Sequence, residues 1–302
     1  MFGIRSDGRR IWGIDPIVQL TPYIMPTRVD AQNMCKQTLD YDSMIAYIRA
    51  KKEEGHNISF MVIVIAAFVR AITICPELNR FVVNKQIYAR NHISVSFVVL
   101  KDTDNGSIDE SVAKIELNPT DTIFDIAEKV AIAIEYGRKS TGGTLTDQLA
   151  RALLAIPGLA TVGVGILKLL DRYGLLPRFV HEASPFHTSL FVTNMASINM
   201  TYIYHHLYNF GTTSVFVAIG KIERALSAAG ASKIGLKRKL PLGIVTDERI
   251  CGGASYAHAF SIMLKFLNDP TLLESPPESV KTETKMRPAK DLRKAAEEKA
   301  NK

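Results

Sequence analysis

Asp247-Glu248-Arg249-Ile250-Cys251-Gly252-Gly253-Ala254 is the stretch whose reading decides the fold. Before it, residues 240–246 are apolar enough for a buried strand. After it, residues 254–267 space their apolar side chains for one face of a helix that Asn268-Asp269-Pro270 brings to an end. Asp247 to Gly253 thus lies between a strand and a final amphipathic helix.

Working outward, residues 189–193 and 214–220 are short continuous apolar runs of the kind found in a sheet interior. Residues 59–74 are hydrophobic on nearly every side and must stop before Pro76, which predicts a helix at the centre of the core. Residues 80–83 and 86–88 read as strands around an Asn84-Lys85 turn, with further strands at 92–101 and 112–117. Thr120-Asp121-Thr122 caps a helix reaching about residue 136. Residues 30–54, with Met34, Leu39, Met44, Ile45 and Ile48 near helical spacing, are expected to be one helix. Strands and helices mix without regular βαβ alternation, which defines an α/β (α+β) class.

The chain has 302 residues, 47% of them apolar, ample for a sizeable core, and a formal charge of +7 that suits a polyanionic ligand. Cys35, Cys75 and Cys251 are odd in number and far apart, which argues against a disulfide framework and a zinc site and for a reducing cytoplasm. No secretory signal, phosphate-binding glycine loop or internal repeat is visible, and no nucleic-acid partner is expected. Residues 152–167 carry no formal charge, but they fall short of the roughly 20 residues a spanning helix needs, and Pro157, Gly158, Gly163 and Gly165 interrupt them. An apolar helical pair at about 145–177, buried or facing a partner, is expected. Peripheral membrane contact is the alternative reading. From 271 to 302 the composition turns to Pro, Lys and Glu, a charged tail expected to add no core packing beyond about 276.

Several segments, in order, resemble the catalytic domain of the 2-oxoacid dehydrogenase (dihydrolipoyl) acyltransferases, whose fold is that of chloramphenicol acetyltransferase. These are Cys75-Pro76-Glu77-Leu78-Asn79 after an apolar helix, Ser184-Pro185-Phe186-His187 with Leu190-Phe191-Val192-Thr193-Asn194, residues 209–220, and the Asp247 stretch with its helix. The resemblance covers roughly residues 15–270. It implies a two-layer sandwich with a mixed sheet, one domain over 1–270, assembly into a homotrimer, coenzyme A (acyl-CoA) as substrate, and a small-molecule or protein-bound acyl acceptor. No lipoyl or subunit-binding segment and no covalent lipoyl group is expected, a layout like that of the free-standing chloramphenicol enzymes.

The family signature reads Asp-His-Arg-Val-x-Asp-Gly, with Asn sometimes in place of the second Asp. Its His takes the proton from a thiol or hydroxyl that attacks a thioester. Here Asp247, Arg249 and Gly253 match, Glu248 stands at the His position, and Gly252 replaces the acidic or amide residue. An ordinary Glu, with a pKa near 4.3 against about 8.5 for a thiol, is a poor base unless burial raises it. Three readings therefore stay open: catalysis through Glu248, a structural carboxylate in an inactive homologue that serves as a trimeric scaffold or CoA-binding subunit, or a base supplied by His187, His205, His206 or His258. Each of these histidines also reads as an ordinary packed side chain, His258 on a packed helix face and His205-His206 in a Tyr-rich loop that is no metal site. By position Thr193, with Ser197 as the alternative, matches the hydroxyl residue that hydrogen-bonds the oxyanion in the family.

Overall fold

In the computed structural model, which describes residues 5–102, 108–139, 145–228 and 234–283, a short strand β1 (Gly8–Arg10) leads into helix α1 (Pro16–Ile24), capped by the Asp15 carboxylate. Strand β2 (Gln32–Asp40) runs straight into α2 (Tyr41–Glu53), then α3 (Phe60–Ile74). Strands β3 (Arg80–Val83) and β4 (Gln86–Arg90) form a hairpin whose Asn84 and Lys85 both take positive φ. These are the left-handed conformations that a two-residue hairpin turn demands. Strands β5 (Ile93–Asp102) and β6 (Ile108–Leu117) are followed by α4 (Ile123–Lys139), the pair α5 (Leu145–Leu154) and α6 (Leu159–Arg172), and the short α7 (Arg178–Ala183). The chain closes with β7 (Leu190–Asn194), β8 (Val215–Ile219), β9 (Glu223–Ala228), β10 (Ile234–Asp247) and α8 (Gly253–Asn268).

The main sheet has the order β2-β10-β8-β7-β5-β6, with β9 pairing the outer half of β10, and β1-β4-β3 form a second, smaller sheet. The β5-β7 and β7-β8 pairs are parallel and the others antiparallel, so the expected mixed sheet and α/β sandwich are what the chain forms. Alternation sorts the side chains to two faces. Val95, Phe97, Leu190, Val192, Val217 and Leu242 point into the core beneath the helices, whereas Phe191, Phe216 and Val245 point the other way.

Helix α3 is the centre of the helical layer and packs against α4 and α8. Ser59 accepts from the Val62 amide at its start, and thirteen of its residues are buried, Ile63, Val64, Ile65, Ala67 and Phe68 completely. Each such large apolar side chain contributes about 1.5–3 kcal/mol relative to exposure. The opposite face is covered by coil, with Leu207 fully buried against Phe191, Phe216 and Val245. That coil lies so close that a β-carbon on Gly243 would come within 2.3 Å of the Ile203 carbonyl oxygen, and one on Gly220 within 2.3 Å of the Tyr202 amide nitrogen.

Three expectations need correction. Residues 30–54 are not one helix: β2 pairs with β10 along its whole length, and Asp40 then caps α2 by accepting from the amides of Asp42 and Ser43. The apolar spacing was shared by a strand and a helix in succession. The hairpin α5–α6 is not buried within the chain, since Leu154, Ile156, Val162, Ile166 and Leu169 are all exposed, so only its partner-facing or membrane-facing reading stands. The charged tail also touches the core further along than expected. Up to Ser275, Pro270 and Leu273 are buried and Arg70 donates to the carbonyls of Leu272 and Ser275; beyond 276, the Lys281 amide donates to the Thr73 carbonyl and Glu283 pairs with Arg80. The remainder, 284–302, lies outside the described residues.

Candidate functional site

The junction after β10 is built on a buried carboxylate. Asp247 is wholly buried and takes two hydrogen bonds of 2.7 Å from the Arg249 guanidinium, while Arg28 approaches it at 3.4 Å. Its amide donates to the Ser214 carbonyl and its own carbonyl accepts from the Tyr256 hydroxyl at 2.6 Å, which ties the strand end to α8. Burial pulls Arg28 below its ordinary value even though Asp247 works in the other direction. An ion pair this dry is costly to break from one side, about 3–5 kcal/mol.

Glu248 sits half-buried on this frame, its backbone amide donating to the Ala31 carbonyl at 2.9 Å. Among the described residues no hydrogen bond or ion pair engages its carboxylate. Gly252 and Gly253 are exposed, with open space where a β-carbon would be, and Gly252 has φ −69°, so neither its conformation nor its packing requires glycine. Beside this junction is a cavity of about 380 Å³ lined by Arg28, Lys85, Lys168, Arg172 and Arg249, with Asp171 the acidic group on its wall.

Thr193 is 7% exposed and its hydroxyl has no partner. Strand register sets it far from Glu248 within one chain. Thr193 pairs with Ala218, Ala218 with Gly243, and Glu248 lies five positions beyond Gly243. At standard strand dimensions the two are about 17 Å apart along the strands and about 10 Å across them. The chain therefore does not itself bring its two signature residues together.

The histidines fall in four different settings. His206 is exposed, and His205 is half-buried and stacked on Phe216 at 4.4 Å, both in the coil as expected. His258 is exposed, which corrects its placement on a packed face: the buried stripe of α8 is Tyr256, Ala259, Met263 and Phe266-Leu267, and His258 falls opposite it. His187 alone is fully sequestered, 1% exposed, with Nδ1 at 2.7 Å from the Ser184 hydroxyl and Nε2 at 3.5 Å from Asp171.

His187 belongs to a buried polar cluster that sequence reasoning missed. Arg5 reaches across from the start of the chain to Asp7 and to both the side chain and the carbonyl of Asp171. His181 stands edge-on to His187 with ring centroids 4.7 Å apart, and its Nδ1 is 3.6 Å from Asp7. Burial lowers His181 to about 4 despite Asp7, and lowers His187 as well, so both rings are neutral near pH 7. Burial opposes the charges on Asp7 and Asp171, yet Arg5 for the first, and His187 with Arg5 for the second, hold both below the usual carboxylate range. Lys114, which donates to the carbonyls of His181 and Ser184, is driven down to about 7 by burial and by Arg90. A cavity of about 420 Å³ opens on this cluster, lined by Asp7, His92, Lys114, His181 and His187. The one visible signal was Asp171, the first acidic residue after a long apolar run.

The three cysteines are free, and burial raises each thiol, Cys251 to about 12, so none is an activated nucleophile.

The sheet order and the helical layer are those of the chloramphenicol acetyltransferase-like fold. Among solved structures, the cubic core of the pyruvate dehydrogenase multienzyme complex superposes with a TM-score of 0.53 at 12% identity, covering 85% of this chain and 88% of that one. The dihydrolipoamide acetyltransferase of Azotobacter vinelandii, studied for a serine, a histidine and an asparagine in its catalytic mechanism, gives 0.54 at 13% identity with the same coverage. A chloramphenicol acetyltransferase gives 0.51 at 11% identity over 87% of this chain and 98% of that one. No protein-family model matches the sequence, and no curated protein matches it. Among the described residues no helix is long and apolar enough to cross a membrane.

Proposed function

We propose that this chain is a CoA-dependent acyltransferase that works as a homotrimer, with each site formed between two copies. The observation that carries this reading is the pairing of an unpartnered, buried Thr193 hydroxyl with a Glu248 held on a rigid ion-pair frame at the far end of the same sheet. A hydroxyl without a partner is a donor in waiting for an oxyanion. An unengaged carboxylate is a base in waiting for a proton. They can act on one substrate only if a neighbouring copy supplies one of them. Exposed apolar surface suited to such contacts exists: Leu226 and Leu236 face each other across the β9–β10 ribbon, 76% and 68% exposed. The cationic cavity beside Arg249 suits the phosphates of CoA. The acceptor is a small thiol, hydroxyl or amine, or such a group on a protein.

The reaction in this reading is attack of the acceptor on the acyl-CoA thioester. Glu248 takes the acceptor proton, the Thr193 hydroxyl hydrogen-bonds the oxyanion, and CoA leaves as the thiol after that proton is returned to sulfur. Acetyl-CoA incubated with a panel of thiols and amines tests it: release of free CoA that depends on the acceptor and on Glu248 is the expected result.

A second reading has its own support. Gly252 offers no side chain to hold the motif, and nothing positions the Glu248 carboxylate. On that reading the chain is an inactive homologue, a trimeric scaffold or CoA-binding subunit. It predicts CoA binding without turnover with any acceptor.

A further inference from the structure

The cluster of Asp171, His181 and His187 does no work in the reaction above, and its geometry is not that of a finished hydrogen-bond network. Among the described residues, His187 Nε2 and His181 Nδ1 are buried and make no hydrogen bond of good geometry. Each faces a carboxylate from just too far away, His187 at 3.5 Å from Asp171 and His181 at 3.6 Å from Asp7. Buried polar groups are ordinarily satisfied, so two orphaned ring nitrogens in one cluster call for an explanation.

The geometry points to a divalent transition-metal site, zinc being the natural occupant, with Asp171, His181 and His187 as ligands and a fourth position open to the adjoining cavity. One ligand atom from each of the three lies within 4.8 Å of the others. With bonds of about 2.0–2.1 Å, two ligands of a tetrahedral ion stand about 3.4 Å apart. The separation of His187 Nε2 from Asp171 Oδ2 is 3.5 Å, too long for a good hydrogen bond and right for an ion between them. Against a limit of 4.8 Å between the ligand atoms, bringing His181 onto the same ion takes a closure of up to about 1.4 Å.

The surroundings supply the outer layer that such sites use. Arg5 binds Oδ1 of Asp171 at 2.5 Å and Oδ1 of Asp7 at 2.8 Å, which fixes both carboxylates and leaves Oδ2 of Asp171 turned to His187. Asp7 faces Nδ1 of His181 at 3.6 Å, which leaves the other ring nitrogen of His181 for the ion, and the Ser184 hydroxyl binds Nδ1 of His187. Such partners orient ligating imidazoles. Two buried guanidiniums, Arg5 and Arg90, balance the two carboxylates. With Lys114 also lining the cavity, a bound dication favours an anionic fourth ligand there, hydroxide or a substrate anion.

Metal uptake by the tag-free full chain, stripped with a chelator and then titrated with Co²⁺, tests this directly. The expected result is about one equivalent per chain with the intense visible absorption of four-coordinate cobalt, displaced by zinc. Asp171→Asn and His187→Gln should each weaken uptake at least tenfold with the circular dichroism unchanged. X-ray absorption of the zinc-loaded wild type guards against variants that fail to fold: nitrogen and oxygen scattering with an imidazole pattern supports the site, and sulfur scattering assigns the ion to cysteine and overturns it. Absence of uptake by the wild type, or unaltered uptake by a folded His187→Gln protein, overturns it as well.

Discussion

At the scale of single residues, Glu248 and Thr193 carry the proposed chemistry and can be separated by their variants. Glu248→Gln keeps the shape and removes the proton acceptor, so turnover should fall by about 10²-fold or more while CoA binding, measured by calorimetry, changes little. Thr193→Val replaces a hydroxyl that bonds to nothing in the free chain. Stability should therefore hold, and kcat should fall by about 10²–10³-fold with KM nearly unchanged. Retention of full rate by Glu248→Gln would remove that residue from the mechanism. Gly252 has room for a side chain, so Glu248→His with Gly252→Asp should fold as the wild type does and, if the chain is an inactive homologue, gain measurable thiolysis of acetyl-CoA.

Among the elements, the coil that covers the second face of the main sheet is the most exacting fit. Gly243→Ala places a methyl group against the Ile203 carbonyl on a buried strand, so it should destabilise by about 1–3 kcal/mol by denaturant titration, whereas Gly252→Ala should cost almost nothing. Elements also show why parts of the fold were legible and others not. Helix α3 could be read from its own residues because Ser59, an unbroken apolar run and Pro76 mark its start, burial and end. Strand β2 could not, because what makes residues 32–40 a strand is pairing with β10, some two hundred positions away, while Met34 and Leu39 continue the spacing of the helix that follows. The Asp247 turn was legible only through its resemblance to a known signature. The cluster around His187 was not legible as a cluster, because Arg5, Asp171 and His187 are brought together solely by the tertiary fold.

The whole molecule should be sensitive to pH through groups it buries neutral. His92 is lowered to about 4 by burial and by Arg90, and Lys114 to about 7. In both cases the unfolded chain binds the proton more readily, so stability rises with pH between the folded and unfolded values. In chelator-treated protein, stability should climb from about pH 4 to 6.5 through His92 and His181 and again from about pH 7 to 10.5 through Lys114, each group adding a slope of at most about 1.4 kcal/mol per pH unit. Lys114→Met should flatten the upper limb alone, as read by urea midpoints across that range. Truncation at Ser275 should lower the melting temperature by several degrees, because it removes the Lys281 contact to Thr73 and leaves Arg80 without Glu283. Light scattering of the intact protein should return three chains.

The separation of Thr193 from Glu248 along one sheet also makes the protein a subject for genetic complementation. In the proposed cyclic trimer every junction would draw its acid–base residue from one copy and its hydroxyl from the next. A population of pure Glu248→Gln chains and a population of pure Thr193→Val chains are each silent, yet neither lesion is complete once copies are shuffled. Refolded together in equal amounts, the two should regain about one quarter of wild-type turnover, the fraction of junctions at which random assembly sets an intact Glu248 beside an intact Thr193. Recovery on that scale from two inactive parents is something no site confined to a single chain can produce.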